Sequence, residues 1–216
     1  MSKIKAIIFD MDGVISDTQK LHANVESEIL ARFNIDICPE EITRKYAGMK
    51  TSEVFNDLLR GQSQPYDVDE LMREKWSLMT RLGNESIDEI EGSAELIQRF
   101  YKEGYKMAVA SASNQDYVGN VIQSLSLEKY FEHLVSGDMV KNGKPDPEIF
   151  WLAASKLKVD PENCLVIEDG RSGMEAAKVG GMECIGLVKS RDVEYPTKNL
   201  VCSLREITPE YIQNLI

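Results

Sequence analysis

The feature that most limits the possible fold is an alternation of strand-like and helix-like segments along residues 87–216. Apolar runs such as "YKMAVASAS" and "NCLVIEDG" are separated by segments with apolar residues at helical spacing, such as "SAELIQRFYKEG" and "SGMEAAKVGG". A similar apolar run, "KIKAIIFD", opens the chain. This alternation predicts an α/β fold with a Rossmann-like parallel sheet flanked by helices.

Residues 18–86 carry helical patterns and no convincing strand. Three apolar stripes at helical spacing lie within residues 21–33, 54–59 and 71–79. Such stripes are typical of amphipathic helices that bury one face. We therefore expect an α/β core made of residues 1–17 and 87–216, and an inserted all-helical domain made of residues 18–86.

Acidic and small polar residues follow the predicted strands. Parallel strands in such folds bind ligands beyond their carboxyl ends, so these residues are candidates for one site. They are Asp10 and Asp12, then Ser111, Ala112 and Ser113, then Gly137 and Asp138, and finally Glu168 and Asp169.

Four of these residues, Asp10, Asp12, Glu168 and Asp169, are carboxylates that repel one another unless they are protonated or neutralised. A divalent cation would neutralise them. Oxygen ligands without His or Cys favour a hard ion, so we expect Mg²⁺.

Phosphate is the ligand that this set of residues favours. Lys144 in "NGKPDPEIF" offers a positive charge, and Ser111 and Asn114 offer hydrogen bonds at the same edge. In phosphoryl transfer, one aspartate can attack phosphorus while a second acid protonates the leaving oxygen. Asp10 and Asp12 have the spacing for these two tasks.

Four segments, "FDMDGVISDT", "VASAS", "GKPDPEIF" and "VIEDG", resemble in this order the four signature motifs of the haloacid dehalogenase-like superfamily. The helical insert resembles the cap of the subgroup that includes β-phosphoglucomutase, phosphoglycolate phosphatase and sugar-phosphate phosphatases. A cap of this kind is expected to pivot near residues 16–20 and 84–91. Arg171 follows the fourth motif and either adds a cation to the site or turns to solvent.

The resemblance implies a role for each motif residue. Asp10 would be the nucleophile, and Asp12 the general acid and base. The other roles are binding roles: Ser111 and Ala112 at phosphate oxygens, Lys144 between Asp10 and the phosphate, and Asp10, the Asp12 carbonyl, Asp169 and Glu168 at Mg²⁺.

The reaction is expected to be hydrolysis of small phosphorylated metabolites, sugar or polyol phosphates, through an aspartyl phosphate; a β-phosphoglucomutase-like mutase is the alternative. His22 in "DTQKLH" either controls Asp12 or makes a structural hydrogen bond. Thr51 stands where the mutase has an Arg that grips a second phosphate, and Lys50 is adjacent. Lys75 either reaches the substrate or, as we favour, is a solvated charge.

The net charge of −11 argues against nucleic acid or an anionic membrane as the main partner. No run of about 20 apolar residues and no signal-peptide pattern is present, so we expect a cytoplasmic protein. The four cysteines form no CxxC pair, and we expect Cys164 and Cys184 to be small core residues. We expect a monomer.

Overall fold

A parallel six-stranded sheet forms the centre of the protein. The computed structural model describes residues 4–83 and 87–215. The strands are β1 (Ala6–Phe9), β2 (Lys106–Ala110), β3 (His133–Val135), β4 (Cys164–Glu168), β5 (Glu183–Leu187) and β6 (Asn199–Val201). Their order in the sheet is β3-β2-β1-β4-β5-β6, and every pairing is parallel. The predicted α/β fold is confirmed.

Strand β1 lies in the middle of the sheet and is apolar on both faces. Ala6 and Ile8 pack into the core on one side, while Ile7 and Phe9 pack into the core on the other. Because side chains alternate along a strand, only a continuous apolar run fits between two helical layers. Because β1 is a central strand, the residues that follow Phe9 lie at the middle of the sheet edge.

Five helices cover the sheet. They are α5 (Ser93–Lys102), α6 (Gln115–Ser124), α7 (Glu148–Leu157), α8 (Arg171–Val179) and α9 (Pro209–Gln213), numbered after the four helices of the insert. Helices α7 and α8 bury apolar residues in the core on the Ile8 side, and α5, α6 and α9 do so on the Phe9 side. Cys164 and Cys184 are buried, as the sequence predicts.

The described part of the insert after β1 consists of helices joined by loops and contains no strand. Its helices are α1 (Gln19–Ala31), α2 (Pro39–Tyr46), α3 (Thr51–Leu58) and α4 (Val68–Gly83). Helix α2 was absent from the prediction because "PEEITRKY" has too few apolar residues to show a stripe, and Ile42 is its single buried residue. The predicted domain boundary at residue 86 and part of the predicted hinge, residues 84–86, lie outside the described residues.

The two connections between the insert and the core pair with each other. Ser16 bridges Glu89, and the N–H of Asp17 donates to the carbonyl of Asp88 at 2.9 Å. The N–H of Ile90 also donates to the carbonyl of Ile15 at 2.9 Å. The two crossings therefore run side by side, as a double connection between the insert and the sheet.

None of the helices in the described ranges is long and apolar enough to cross a membrane.

Candidate active site

The end of β1 is shaped by a sharp turn at Gly13. Gly13 has φ of +94°, a backbone conformation that residues with a side chain rarely adopt. A Cβ at this position would also lie 2.3 Å from Oδ2 of Asp169. The turn lets the chain leave the strand directly after Asp10 and Asp12. It also allows the β1 turn to approach the acidic end of β4 closely.

Lys144 is buried between two carboxylates. Its Nζ lies 2.5 Å from Oδ1 of Asp10 and 2.8 Å from Oε2 of Glu168, and the side chains of all three residues are at most 4% exposed. Burial by itself lowers the pKa of Lys144, but the two carboxylates outweigh it and raise that pKa above its usual value. Lys144 is therefore a fixed positive charge beside Asp10.

Three carboxylates meet around this lysine. Oxygens of Asp10, Glu168 and Asp169 all lie within 4.8 Å of one another. Burial, reinforced by the charge of Glu168, raises the pKa values of Asp10 and Asp169 well above the usual value. The close approach of Glu168 requires Gly173, where a Cβ would lie 1.8 Å from Oε2 of Glu168.

The carboxylate cluster has the charge and the free oxygen that a divalent cation needs. Three carboxylates against one ammonium leave two negative charges. Oδ1 of Asp169 is buried and accepts no hydrogen bond from the described residues. Oε1 of Glu168 accepts from the N–H groups of Asp169 and Gly170, and Oε2 accepts from Lys144. Asp169 is thus better prepared than Glu168 to contact a cation directly.

The Asp12 carboxylate has a different environment. Its Oδ1 accepts from Thr18 at 2.5 Å, and its Oδ2 accepts from Ser113 at 2.9 Å and from Ser111 at 3.2 Å. Burial raises the pKa of Asp12, but nearby His22 and the donated hydrogen bonds outweigh burial and hold it below the usual range. The pKa of Asp10 is thus raised and the pKa of Asp12 is lowered, as expected for two acids with separate tasks.

His22 lies beside Asp12 at the start of the insert. Its Nε2 is 3.2 Å from Oδ1 of Asp12, although this contact lacks the alignment of a hydrogen bond. The ring packs edge-on against Trp76 and Tyr117, with centroids 5.8 and 5.3 Å away. The structure places His22 beside Asp12, and its role there stays a prediction.

Gln19, the first residue of α1, joins the insert to both acidic strand ends. Its Nε2 donates to the carbonyl oxygen of Asp12 at 3.2 Å and makes a short hydrogen bond to Oδ2 of Asp169. These contacts hold Asp169 by one oxygen and leave the other, Oδ1, free.

A cavity between the insert and the sheet edge contains Asp10 and Asp12 in its wall. The space within it and its solvent-filled mouth together measure about 550 Å³. The core contributes Ala112 and Ser113, and the insert contributes Glu26, Ile42, Thr43, Tyr46, Met49, Thr51, Val54 and Lys75, among others. The wall therefore combines the acidic strand ends with polar and apolar side chains of the insert.

The solvated interpretation of Lys75 is wrong. The residue is 1% exposed, and its Nζ lies 2.6 Å from Oε1 of Glu26. The helical pattern alone predicts a surface lysine, because it cannot show a partner that lies 49 positions earlier in the chain on another helix. The packing of α1 against α4 brings the two together.

Three other candidate residues have their polar groups engaged elsewhere. Lys50 donates to the carbonyl of Val140 at 2.9 Å and is absent from the described cavity wall. Oδ1 of Asn114 caps α6 by accepting from the N–H of Tyr117 at 2.8 Å. Arg171 is exposed, and its Nη1 donates to the carbonyl of Glu194 at 2.5 Å, so it turns away from the cluster.

Four residues at the site had no assigned role in the sequence analysis: Thr18, Gln19, Glu26 and Ser113. Ser113 repeats the side-chain direction of Ser111, two positions earlier, and this spacing could have indicated a second donor at the strand end. Thr18 and Gln19 follow the first motif directly. Glu26 gives no such signal, because an acid on a helix is most often a solvated residue.

Comparison with known proteins agrees with this geometry. The chain is 34% identical over 188 residues to a phosphorylated carbohydrates phosphatase from Thermotoga maritima, covering 87% of each chain. The structure is similar to β-phosphoglucomutase from Clostridium difficile, with TM-score 0.87, 27% identity and coverage of 98% and 96% of the two chains. It is also similar to CbbY from Rhodobacter sphaeroides in complex with phosphate, with TM-score 0.85, 28% identity and coverage of 97% and 99%.

A family model described as haloacid dehalogenase-like hydrolase matches residues 7–187, which include the strand ends and the whole insert. The chain therefore belongs to the haloacid dehalogenase-like hydrolases and is an enzyme.

Proposed function

We propose that the protein is a Mg²⁺-dependent phosphatase that hydrolyses phosphate esters of sugars or polyols through an aspartyl phosphate. The observation that carries this proposal is the pairing of buried Asp10 with Lys144, 2.5 Å apart, behind a cavity wall to which Asp10 and Asp12 both contribute. A nucleophilic carboxylate, a fixed cation and a second acid in a different environment are the groups that phosphoryl transfer requires.

Asp10 attacks the phosphorus atom of the ester in the first step. A bond forms between a carboxylate oxygen of Asp10 and phosphorus, and the bond between phosphorus and the alcohol oxygen breaks. Asp12 gives its proton to the leaving oxygen. The phosphate dianion next to Asp12 raises the low pKa of this group and so favours the protonated form that the step needs.

Water completes the cycle in the second step. Asp12, now ionised, takes a proton from a water molecule that attacks the phosphorus, and the bond to Asp10 breaks to release phosphate. Thr18 and Ser113 hold the Asp12 carboxylate by hydrogen bonds of 2.5 and 2.9 Å. In a family with both reaction types, transfer to water rather than to a second hydroxyl separates a phosphatase from a mutase.

Asp10, Asp169 and the carbonyl of Asp12 would hold the Mg²⁺, with Glu168 held behind them by Lys144 and by backbone N–H groups. When bound, the ion neutralises negative charge on the transferred phosphoryl group. The raised pKa of Asp10 is a second reason for a cation, because added positive charge favours the ionised nucleophile. Ser111 and the backbone of Ala112 would bind phosphate oxygens.

A phosphomutase is the second candidate, because the chain is similar to β-phosphoglucomutase over nearly its whole length. A mutase must hold a bisphosphate with a cation at each end. Thr51 replaces the arginine that the family resemblance places there, and Lys50 is bound to the carbonyl of Val140. These two observations favour the phosphatase.

The test is phosphate release from a panel of phosphomonoesters that includes 2-deoxyglucose 6-phosphate, glycerol phosphates, phosphoglycolate and β-glucose 1-phosphate. We expect release with Mg²⁺ and none after treatment with a chelator, because the carboxylate cluster is then left without its neutralising charge. Restored activity on adding Mg²⁺ back controls for damage by the chelator. Conversion of β-glucose 1-phosphate to the 6-phosphate without phosphate release would instead establish the mutase.

We also propose that residues 18–86 act as a cap that opens and closes over the site. Besides the contacts of Thr18 and Gln19 with the strand ends, hydrogen bonds that hold the insert on the core include Gly143 N–H to Glu53 (3.0 Å), Lys50 to the carbonyl of Val140 (2.9 Å) and the Ser172 hydroxyl to the carbonyl of Ala47 (2.7 Å). Gly143 is adjacent to Lys144, so cap closure would also fix the loop that carries this lysine.

Replacement of Glu53 by Ala is expected to lower kcat/KM by about tenfold, because a charge-assisted hydrogen bond that favours the closed cap is lost. Steady-state kinetics measures the effect, and faster proteolysis of the insert would report the more open state. Glu40→Ala removes an exposed glutamate of α2 and is the matched control. Equal kcat/KM in both variants would contradict a role for the Glu53 contact.

A further inference from the structure

Three polar side chains from three helices of the insert form a buried cluster in the cavity wall. They are Glu26 of α1, Thr51 of α3 and Lys75 of α4, which are 6%, 5% and 1% exposed. Nζ of Lys75 lies 2.6 Å from Oε1 of Glu26 and makes a short hydrogen bond to Thr51. The hydroxyl of Thr51 donates in turn to Oε1 of Glu26 at 3.3 Å.

This cluster is a poor choice for stability alone. Removing two charges from water is unfavourable, and apolar residues of similar size commonly stabilise such a position as well or better. The surroundings could have been completed with apolar side chains, since Ile42 and Val54 line the same cavity. An ion pair kept in the wall of a ligand cavity therefore points to recognition of a ligand.

The cluster has unused hydrogen-bonding capacity of both kinds. Lys75 has three N–H donors, and its hydrogen bonds to Glu26 and Thr51 use two of them. Oε2 of Glu26 accepts no hydrogen bond from any residue in ranges 4–83 and 87–215. One donor and one acceptor side by side match hydroxyl groups, which both accept and donate.

The charge of the cluster disfavours a second phosphate. Lys75 is the only Lys or Arg that the described residues contribute to the cavity wall, and the carboxylate of Glu26 already neutralises it. A phosphate next to this pair would be repelled by Glu26 in a region where little water screens the charges. Phosphate sites normally present cations that are free to pair with the ligand.

We propose that Glu26, Thr51 and Lys75 are specificity-determining residues that bind hydroxyl groups of a singly phosphorylated, polyhydroxylated substrate and exclude substrates with a second phosphate there. This inference rests on the proposed function, since it assigns the end of the substrate that does not react. It also gives a physical reason why hydrolysis prevails over a mutase reaction, whose intermediate carries two phosphates.

Calorimetric titration of the Asp10→Asn protein with Mg²⁺ present tests the proposal without turnover. Three ligands are compared: glucitol 6-phosphate, glucitol 1,6-bisphosphate and propyl phosphate, which lacks hydroxyls. We expect glucitol 6-phosphate to bind at least about tenfold more tightly than either of the others, because only it satisfies the cluster without repulsion. Equal affinities, or tighter binding of the bisphosphate, would overturn the proposal.

Adding Glu26→Gln to this protein is expected to reduce the penalty for the bisphosphate by about tenfold, since the amide keeps the shape and removes the repelling charge. Thermal unfolding checks that the unpaired Lys75 leaves the protein folded. If the Glu26→Gln protein is unfolded, the double variant Glu26→Gln with Lys75→Met removes both charges instead. For this double variant we expect the preference for glucitol 6-phosphate over propyl phosphate to fall to about twofold or less. If the double variant is folded and still prefers glucitol 6-phosphate over propyl phosphate as strongly as before, the proposal is overturned.

The proposed function is tested separately, by phosphate release from propyl phosphate and glucitol 6-phosphate with the unaltered protein. If hydrolysis occurs but the three ligands bind the Asp10→Asn protein equally, the specificity cluster is wrong and the phosphatase stands. If the ranking of affinities holds but no ester is hydrolysed, the phosphatase is wrong and the cluster stands as a hydroxyl-binding site.

Discussion

Replacement of Asp10 by Asn is expected to reduce phosphate release by about a thousandfold or more, because the amide cannot form the acyl phosphate. The fold is expected to tolerate the change. Burial and the charge of Glu168 raise the pKa of Asp10, so the ionised side chain is held against an electrostatic cost that the amide avoids. Lys144 keeps Glu168 as a partner at 2.8 Å.

The measurement combines phosphate release with urea unfolding of the same protein. Asp17→Asn is the matched control, since it makes the same substitution seven positions later at an exposed residue. We expect the control to keep its activity and Asp10→Asn to lose its activity, with stability changed by no more than about 1 kcal/mol in either. Undiminished release by Asp10→Asn would rule out the aspartyl phosphate.

The parts of the fold that sequence reasoning predicts are those set by local pattern. The apolar run before Asp10 and the run before Glu168 are buried on both faces, and such continuous apolar runs are typical of strands in a parallel sheet. From it follows that the ends of β1 and β4 meet at one edge. The grouping of Asp10, Asp12, Glu168 and Asp169 as candidates came from this argument, while their roles came from the family resemblance and stay predictions.

Helix ends are less accessible to sequence reasoning. The pattern "DPEIF" predicts Asp146 as the N-cap of α7 and Pro147 as its first residue, yet the helix starts at Glu148 with Pro147 as its N-cap. Oδ1 of Asp146 still accepts from the N–H of Glu148, at 2.9 Å. The Asp146 side chain thus accepts the hydrogen bond of an N-cap residue although it lies in the turn before the helix. Backbone geometry, rather than residue type, decides whether such an aspartate is the N-cap or belongs to the preceding turn.

Contacts between helices of the insert escape prediction for a different reason. Lys50 directly precedes α3 and Lys75 lies within α4, and the local sequence shows the partner of neither lysine. One reaches a backbone carbonyl of the core, and the other is buried against Glu26. Such partners depend on how helices pack in three dimensions, and the helical period constrains which face is buried but not what it meets.

Replacement of Lys144 by Met is expected to cause the largest loss of stability, about 3–5 kcal/mol in the absence of divalent cations. Methionine fills similar space but leaves Asp10 and Glu168 buried without their counter-charge. Activity falls as well, since the negative charges of Asp10 and the phosphate then face each other directly. Urea unfolding with a chelator present measures the first effect, and phosphate release measures the second.

Lys141→Met is the matched control, because it removes an exposed lysine from the same loop and is expected to change stability by less than about 0.5 kcal/mol. Two further changes separate charge from packing. Adding Glu168→Gln to Lys144→Met removes one of the unpaired carboxylates, and adding Mg²⁺ supplies positive charge to the same cluster; each is expected to restore part of the lost stability. If neither does, packing rather than charge determines the effect, and Lys144 is not the counter-charge that the proposed mechanism requires.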